Sequence, residues 1–156
     1  MRIIRPDGVE IFLGSLLDQV YSMEDTDGHQ FHWSVTEASR RALMRGEYWT
    51  ISLSEMGITR EFIHAQYQGI DEAHALTRDL RVPLLFVPFG GSHQLIDGWH
   101  RLFKAAVTGV DILPACCLTQ EDADASLILT LPPHSCSHEL GQGLDWGQHA
   151  TTATVT

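Results

Sequence analysis

Residues 82–119 carry the clearest structural pattern in the chain, and they read VPLLFVPFGGSHQLIDGWHRLFKAAVTGVDILPACCLT. The apolar run from Leu84 to Val87 is short and is closed by Pro88, as expected of a buried strand. Gly90-Gly91-Ser92 can supply the positive φ angles of a tight turn, and Gln94 to Ile96 then returns as a second strand. This part of the sequence therefore predicts a β-hairpin.

A helix is predicted directly after the hairpin. Asp97-Gly98 stops the second strand, and the helix begins at about Trp99. Its apolar positions have helical spacing and are Leu102, Phe103, Ala105, Ala106 and Val107. Gly109 stands where a C-cap glycine would lie, and Ile112 to Leu118 is predicted to form a third strand.

The start of this helix has the residues of an anion site. A helix N-terminus has unpaired N–H groups and a partial positive charge, so it can hold phosphate. Asp97 can cap free N–H groups, and Gly98 allows another group to approach the backbone. Arg101 adds a fork that suits phosphate oxygens. The predicted phosphate-binding residues are Asp97, Gly98, Trp99, His100, Arg101 and Lys104. The alternative is an ordinary capped helix start with a solvated arginine.

These residues resemble the phosphate-binding box of the ParB/sulfiredoxin superfamily. That box has the pattern (D/G)-G-x-(H/R)-R-x-x-A, followed by a glycine and a strand that contains proline. Asp97 to Ala105, Gly109 and Pro114 match it. Weaker upstream matches, in residues 49–56 and 66–76, fall in the order that the family has. The resemblance covers about residues 48–119 and implies a small domain of the α/β class, with mixed α+β topology.

Trp99 is the main departure from the family pattern. Sulfiredoxins carry their catalytic cysteine at this position, so the resemblance does not extend to sulfinic-acid reduction. ParB proteins commonly have a glutamate there that helps to hold the metal on bound CTP, and they usually have an arginine where Gln68 stands. Too few residues follow Thr119 for their DNA-binding and dimerisation domains. Free-serine kinases of the superfamily have an Asp-Gly-x-His-Arg box, which is nearer to this sequence.

The resemblance implies a stand-alone nucleotide-binding protein, either an NTPase or a small-molecule phosphotransferase. Its cofactor would be a nucleoside triphosphate, ATP or CTP, with Mg²⁺ held by Asp97. The catalytic candidates are His100, as a donor of a hydrogen bond or proton, with Asp71 and Glu72 as a general base or further metal carboxylates. An acidic helix start is the preferred interpretation of Asp71 and Glu72. The alternatives are a non-catalytic regulator that binds a nucleotide or a protein partner, and a nuclease.

Composition limits the choice of partners. The formal charge of -10 counts against direct DNA binding, because neutralising phosphates needs clustered Lys and Arg. No apolar run approaches the length of a membrane span, and the first residues lack the apolar core of a secretory signal. The adjacent residues Cys116 and Cys117 lie on a predicted strand and face opposite ways, so they are not expected to pair. These features favour the cytoplasm.

The flanking regions give weaker patterns. Residues 1–46 are predicted to be an extension packed on the core, residues 47–131 the ParB/sulfiredoxin-like domain, and residues 132–156 a flexible tail. The predicted elements of the extension are a short helix within Val9 to Tyr21, a strand from His29 to Val35 and a helix from Glu37 to Met44 that ends at Gly46. Those of the core are a strand from Glu47 to Leu53 and helices from Arg60 to Gln68 and from Glu72 to Leu80, capped by Thr59 and Asp71.

Overall fold

The computed structural model describes residues 2–4, 10–12 and 19–133, with side chains from residue 19 onwards. It confirms the α/β class. The strands are β1 (Arg2–Ile4), β2 (Glu10–Phe12), β3 (Val20–Glu24), β4 (Gln30–Ser34), β5 (Trp49–Ser52), β6 (Leu84–Phe89), β7 (Ser92–Asp97), β8 (Ile112–Cys117) and β9 (Leu127–Leu131). The helices are α1 (Val35–Arg45), α2 (Arg60–Gln66), α3 (Glu72–Leu76), α4 (Trp99–Thr108) and α5 (Gln120–Ser126).

A mixed four-stranded sheet with the order β5-β8-β6-β7 forms the centre of the fold. β6 and β7 are the predicted hairpin, and they turn through Gly90 and Gly91 with φ angles of 56° and 77°. β8 pairs parallel to β6 and antiparallel to β5. α4 connects β7 to β8 and begins at Trp99, as predicted. The chain therefore leaves the sheet at Asp97 and returns to it at Ile112.

Alternation along the central strands divides the core into two apolar clusters, one on each face of the sheet. Leu84, Leu95 and Ala115 belong to the first cluster, together with residues of α2, α3 and α4. Their chain neighbours Leu85, Ile96 and Cys116 belong to the second cluster, together with residues of β4, α1 and α5. The four-stranded sheet is thus the middle of three layers.

The helices α2 and α3 have the caps that the sequence predicts. The Thr59 hydroxyl accepts from the Phe62 N–H at 3.1 Å, and the Asp71 carboxylate accepts from the His74 N–H at 2.9 Å. α3 is shorter than predicted, because it ends at Leu76 and not at Leu80. Asp79 accepts from the backbone N–H of Arg81 at 2.9 Å, which competes with helical hydrogen bonding.

A three-stranded antiparallel sheet with the order β3-β4-β9 lies in the outer layer with α1 and α5. The strand and the helix predicted between His29 and Gly46 are confirmed by β4 and α1. Trp33, Val35 and Ala38 share the second apolar cluster with Leu85 and Val87 of the central sheet. The extension therefore contributes to one core with the central sheet.

The helix predicted within Val9 to Tyr21 is wrong at both ends. β2 pairs antiparallel with β1, with Ile11 opposite Ile3, and β3 already begins at Val20. Short apolar runs fit helix and strand equally well, and here pairing with neighbouring strands decides. Residues 13–18, between these two strands, lie outside the described residues, as do residues 134–156 of the predicted tail.

Partly buried ion pairs join α1 to α5. The carboxylate of Asp122 accepts from Arg41 at 3.2 Å and from Arg45 at 2.7 Å. Glu37, one turn before Arg41, also accepts from that arginine at 2.7 Å.

Among the described residues, no helix has the length and apolar character needed to cross a membrane.

Candidate anion site at the start of α4

Gly98 forms the corner between β7 and α4. It is the N-cap residue, with a φ of 116°, and it is buried. A Cβ atom at this position would clash with Cδ2 of Leu84 and would lie 3.1 Å from Nη2 of Arg101. Glycine is therefore required here by the fold itself. The groups that approach its backbone are two side chains of the protein, whereas the sequence suggested a ligand.

Asp97 does not cap α4, so that prediction is wrong. Its Oδ2 atom accepts from Nη2 of Arg101 at 2.9 Å, one helical turn away. No side chain in the described part of the chain caps this helix start. The first N–H groups of α4 consequently lack a side-chain acceptor.

Arg101 is a buried residue with an exposed fraction of only 3 %, so the alternative of a solvated arginine is wrong. Nη2 donates to Asp97 and also to the backbone oxygen of Pro83 at 3.1 Å. These two bonds tie the segment before β6 to the end of β7. Nε is buried and has no partner among the described residues. A buried donor without an acceptor costs about 1–3 kcal/mol.

Trp99 faces the core and not solvent. Its exposed fraction is 7 %, and it lies in the first apolar cluster with Leu102 and Phe103. Its ring stacks on Tyr67, with centroids 5.5 Å apart and planes inclined by 5°. The indole therefore anchors the start of α4 to the segment between α2 and α3.

His100 is half-buried at the contact between α4 and the start of α3. Its Nε2 atom accepts from the Asp71 N–H at 3.2 Å, so the neutral ring carries its proton on Nδ1. The ring lies edge-on to His74, with centroids 5.2 Å apart. Burial, followed by the nearby charges of His74 and Arg78, lowers the pKa of His100. The ring is therefore neutral at pH 7, and only Nδ1–H remains as a donor.

Lys104 and Arg78 hold the other end of α3 against α4. The Lys104 ammonium donates to the backbone oxygen of Arg78 at 2.7 Å. Since the guanidinium of Arg78 also acts on the pKa of His100, positive groups gather near the first turns of α4. The carboxylates of Asp71 and Asp97 act on His100 in the opposite sense, and Asp79 lies near Lys104, so positive and negative groups are mixed here.

The two other predicted catalytic residues lie at the start of α3 and have structural contacts. The carboxylate of Asp71 caps that helix, while its backbone N–H reaches His100. Glu72 points towards α2, where it pairs with Arg60 at 2.8 Å and with His64 at 3.2 Å. Asp71 thus adjoins the box and Glu72 does not face it. These contacts fit the preferred interpretation of an acidic helix start.

Several partners of the box lie far away in sequence and were not predicted. Pro83 supplies an acceptor, Leu84 fills the space beside Gly98, and Tyr67 stacks on Trp99. His74 and Arg78 complete the surroundings of His100. None of them has a local signal, because each contact depends on how distant segments pack.

One group of residues among the described ranges has the spacing of a metal site, and it lies elsewhere, in the turn between β3 and β4. The ligand atoms of Asp25, Asp27 and His29 lie within 4.8 Å of one another. Asp25 Oδ1 already accepts from the backbone N–H groups of the other two residues, at 3.0 and 2.8 Å. These contacts serve the turn itself.

Comparison with known proteins leaves the site to be interpreted from its own residues. No family model, no curated protein and no solved structure matches this chain.

Proposed function

We propose that the start of α4 binds the phosphate groups of a nucleotide, and that the chain is a nucleotide-binding protein of the ParB/sulfiredoxin type. The observation that carries this proposal is the buried Nε of Arg101, a charged donor without an acceptor beside an uncapped helix start. Phosphate oxygens would supply the missing acceptors. A buried polar group without a partner suggests an absent ligand or water, and His32 Nε2 and Trp99 Nε1 are two further examples in the described residues.

The charges around α4 support an anionic ligand. Asp97 pairs with Arg101 through one hydrogen bond, which involves Nη2 and leaves Nε without an acceptor among the described residues. His100 offers Nδ1–H, and Arg78 adds a charge nearby. A triphosphate would therefore meet these donors together with the carboxylates of Asp71 and Asp97.

Asp97 is the residue that would hold the Mg²⁺ of a bound ATP or CTP. Its carboxylate is 26 % exposed, and only Oδ2 is bonded to Arg101. Oδ1 is the oxygen that fits a hard cation. The ion would supply a bridge between the protein and the phosphates.

The contacts of the other carboxylates favour a binding module over an NTPase or phosphotransferase. Asp71 is engaged as a helix cap, and Glu72 is paired with Arg60 and His64. Neither carboxylate is directed at the start of α4 by these contacts. Turnover of the nucleotide is therefore the second candidate, and nuclease activity the third, because the charge of -10 opposes DNA binding.

We also propose the cytoplasm as the location of the protein. Cys116 and Cys117 are adjacent free thiols. Burial raises the pKa of Cys116 to about 11 and that of Cys117 to about 12. Unpaired, unreactive thiols are what a reducing compartment favours.

The test is titration of the ¹⁵N-labelled protein with ATP, CTP, GTP and ADP, with and without Mg²⁺. The amide signals of Gly98 to Arg101 should shift, and those of the turn at Asp25 to His29 should stay in place. Arg78→Glu should weaken triphosphate binding by about tenfold, the equivalent of one lost charge-assisted contact.

Arg81→Glu is the matched control, because it makes the same change of net charge three residues away. Arg81 is paired with Asp79 and its side chain is 90 % exposed. Its variant should bind almost as the wild type does. Equal losses of affinity in both variants would show that only the overall charge matters. Shifts of amide signals from another region would place the binding site there.

A further inference from the structure

We propose that His100 is a pH-sensitive latch: its neutral ring holds Asp71, the N-cap residue of α3, against α4, and a proton on the ring breaks this bond. The latch itself needs no ligand. Only its bearing on access to the start of α4 rests on the proposed function.

The latch connects a short helix that has few bonds of its own. α3 has five residues, and its buried residue is Ala75. Side-chain hydrogen bonds from α4 hold it in the described structure at both ends. At its start the Asp71 N–H donates to Nε2 of His100, and beyond its end Lys104 donates to the oxygen of Arg78. Loss of the first bond would leave the start of α3 attached through packing and through the pairs of Glu72 with Arg60 and His64 of α2.

Protonation reverses the hydrogen-bonding role of Nε2. In the neutral ring this atom has a lone pair that accepts the Asp71 N–H at 3.2 Å. A second proton can only go to Nε2, since Nδ1 already has one. Two N–H donors would then face each other, and the bond from Asp71 must break.

The charged groups around the ring act in both directions. His74 and Arg78, from α3 and the segment after it, disfavour a positive charge on His100. The carboxylates of Asp71 and Asp97, from the start of α3 and the end of β7, favour it. Burial adds to the first effect, and together these lower the pKa of His100. Tyr67, from the segment after α2, lies edge-on to the ring with centroids 6.2 Å apart.

The consequence is a change in the surface beside α4. With His100 neutral, the start of α3 lies against the first turn of α4. With His100 charged, the Asp71 amide is no longer bonded to α4 and the ring offers two donors, while Glu72 remains paired with α2. Under the proposed function, mild acid would thus add a positive charge and a second N–H donor beside the phosphate site.

The experiment measures hydrogen exchange at the Asp71 amide between pH 5 and 7.5, expressed as a protection factor. The His100 ring signals are followed in the same samples. The protection factor should fall about three- to tenfold as His100 takes up its proton, the loss of one ordinary hydrogen bond. The Phe62 amide, which is capped by Thr59, should not follow this change.

Two variants separate the latch from general loosening in acid. His100→Gln keeps an acceptor near the place of Nε2 but cannot titrate, so protection at Asp71 should not vary with pH. His74→Gln removes a neighbouring charge, so the midpoint should move to higher pH. Constant protection at Asp71 while the wild-type His100 titrates would overturn the proposal, as would an equal loss in His100→Gln. The wild-type measurement decides even if a variant fails to fold.

Discussion

Arg101 shows how a residue selected for its chemistry can have a structural role as well. Its guanidinium bonds to Asp97 at the end of β7 and to Pro83 before β6. The two segments are separated in sequence by the whole hairpin, so the side chain closes the base of that hairpin. A phosphate ligand would use the atoms that these bonds leave free.

Removal of this side chain should destabilise the protein. Arg101→Ala breaks a buried ion pair and leaves the Pro83 oxygen without its donor. Breaking a buried pair costs about 3–5 kcal/mol, and the partial exposure of Asp97 should reduce the loss to about 2–4 kcal/mol. Urea unfolding followed by circular dichroism gives the free energy directly.

Arg81→Ala is the control for this measurement, because Arg81 is paired only with Asp79 on the surface. Its free energy of unfolding should stay within about 1 kcal/mol of the wild type, because an exposed pair contributes little. Should the two variants unfold at the same urea concentration, the structural role of Arg101 is refuted. Binding measured on Arg101→Ala alone would mix the two roles, which is why the binding test uses Arg78.

The burial of Arg101 could not be predicted from the sequence. The residue stands one position after His100 in a first helical turn, where arginines are usually solvated. Its burial follows from the absence of a side chain at Gly98, which leaves room for the guanidinium, and from an acceptor at Pro83. The sequence identified the residue and the helix start, but the direction of the side chain depends on the hairpin in three dimensions.

At the scale of elements, α3 depends on its N-cap residue. The Asp71 carboxylate accepts from the His74 N–H, and the helix that it caps has only five residues. Asp71→Ala should therefore lower the free energy of unfolding by about 1 kcal/mol. Asp71→Asn keeps a capping oxygen and should be close to the wild type. Thermal unfolding of the three proteins at one pH checks this. If Asp71→Asn is as unstable as Asp71→Ala, the effect comes from the charge of Asp71 and not from capping.

Elements with local signals were predicted well, and those defined by distant partners were not. The hairpin, α4 and β8 follow from glycines, apolar spacing and a C-cap that lie within the elements themselves. β2 was predicted as helix because its pairing with β1 has no local mark. The early end of α3 is an exception, because the side-chain contact at Asp79 is local and involves Arg81, two residues away.

At the scale of the whole molecule, paired carboxylates set the response to acid. Hydrogen bonds from Arg40 and Arg41 hold the pKa of Glu37 at about 2, below its ordinary 4.5. Those from Arg81 hold the pKa of Asp79 at about 2, below 3.8. Arg45, followed by Arg41, lowers the pKa of Asp122, which joins α1 to α5.

The protein should therefore lose stability as the pH falls from about 4.5 towards 2. In this range the unfolded chain binds more protons than the folded one, because the folded pKa values are lower. The stabilisation that these carboxylates contribute is complete above about pH 4.5. The free energy of unfolding, taken from urea curves at several pH values, should depend less on pH in Glu37→Gln. A pH dependence identical to that of the wild type would exclude Glu37 as a source.

The missing side chain at Gly98 also limits how this protein can diverge. A replacement there must tolerate a φ of 116° and must find room beside Leu84 and Arg101. No single substitution meets both demands, so substitutions that change the base of the hairpin would have to come first. Substitution of Gly98 therefore requires compensating substitutions at neighbouring positions. Most sequence divergence should accumulate elsewhere in the protein.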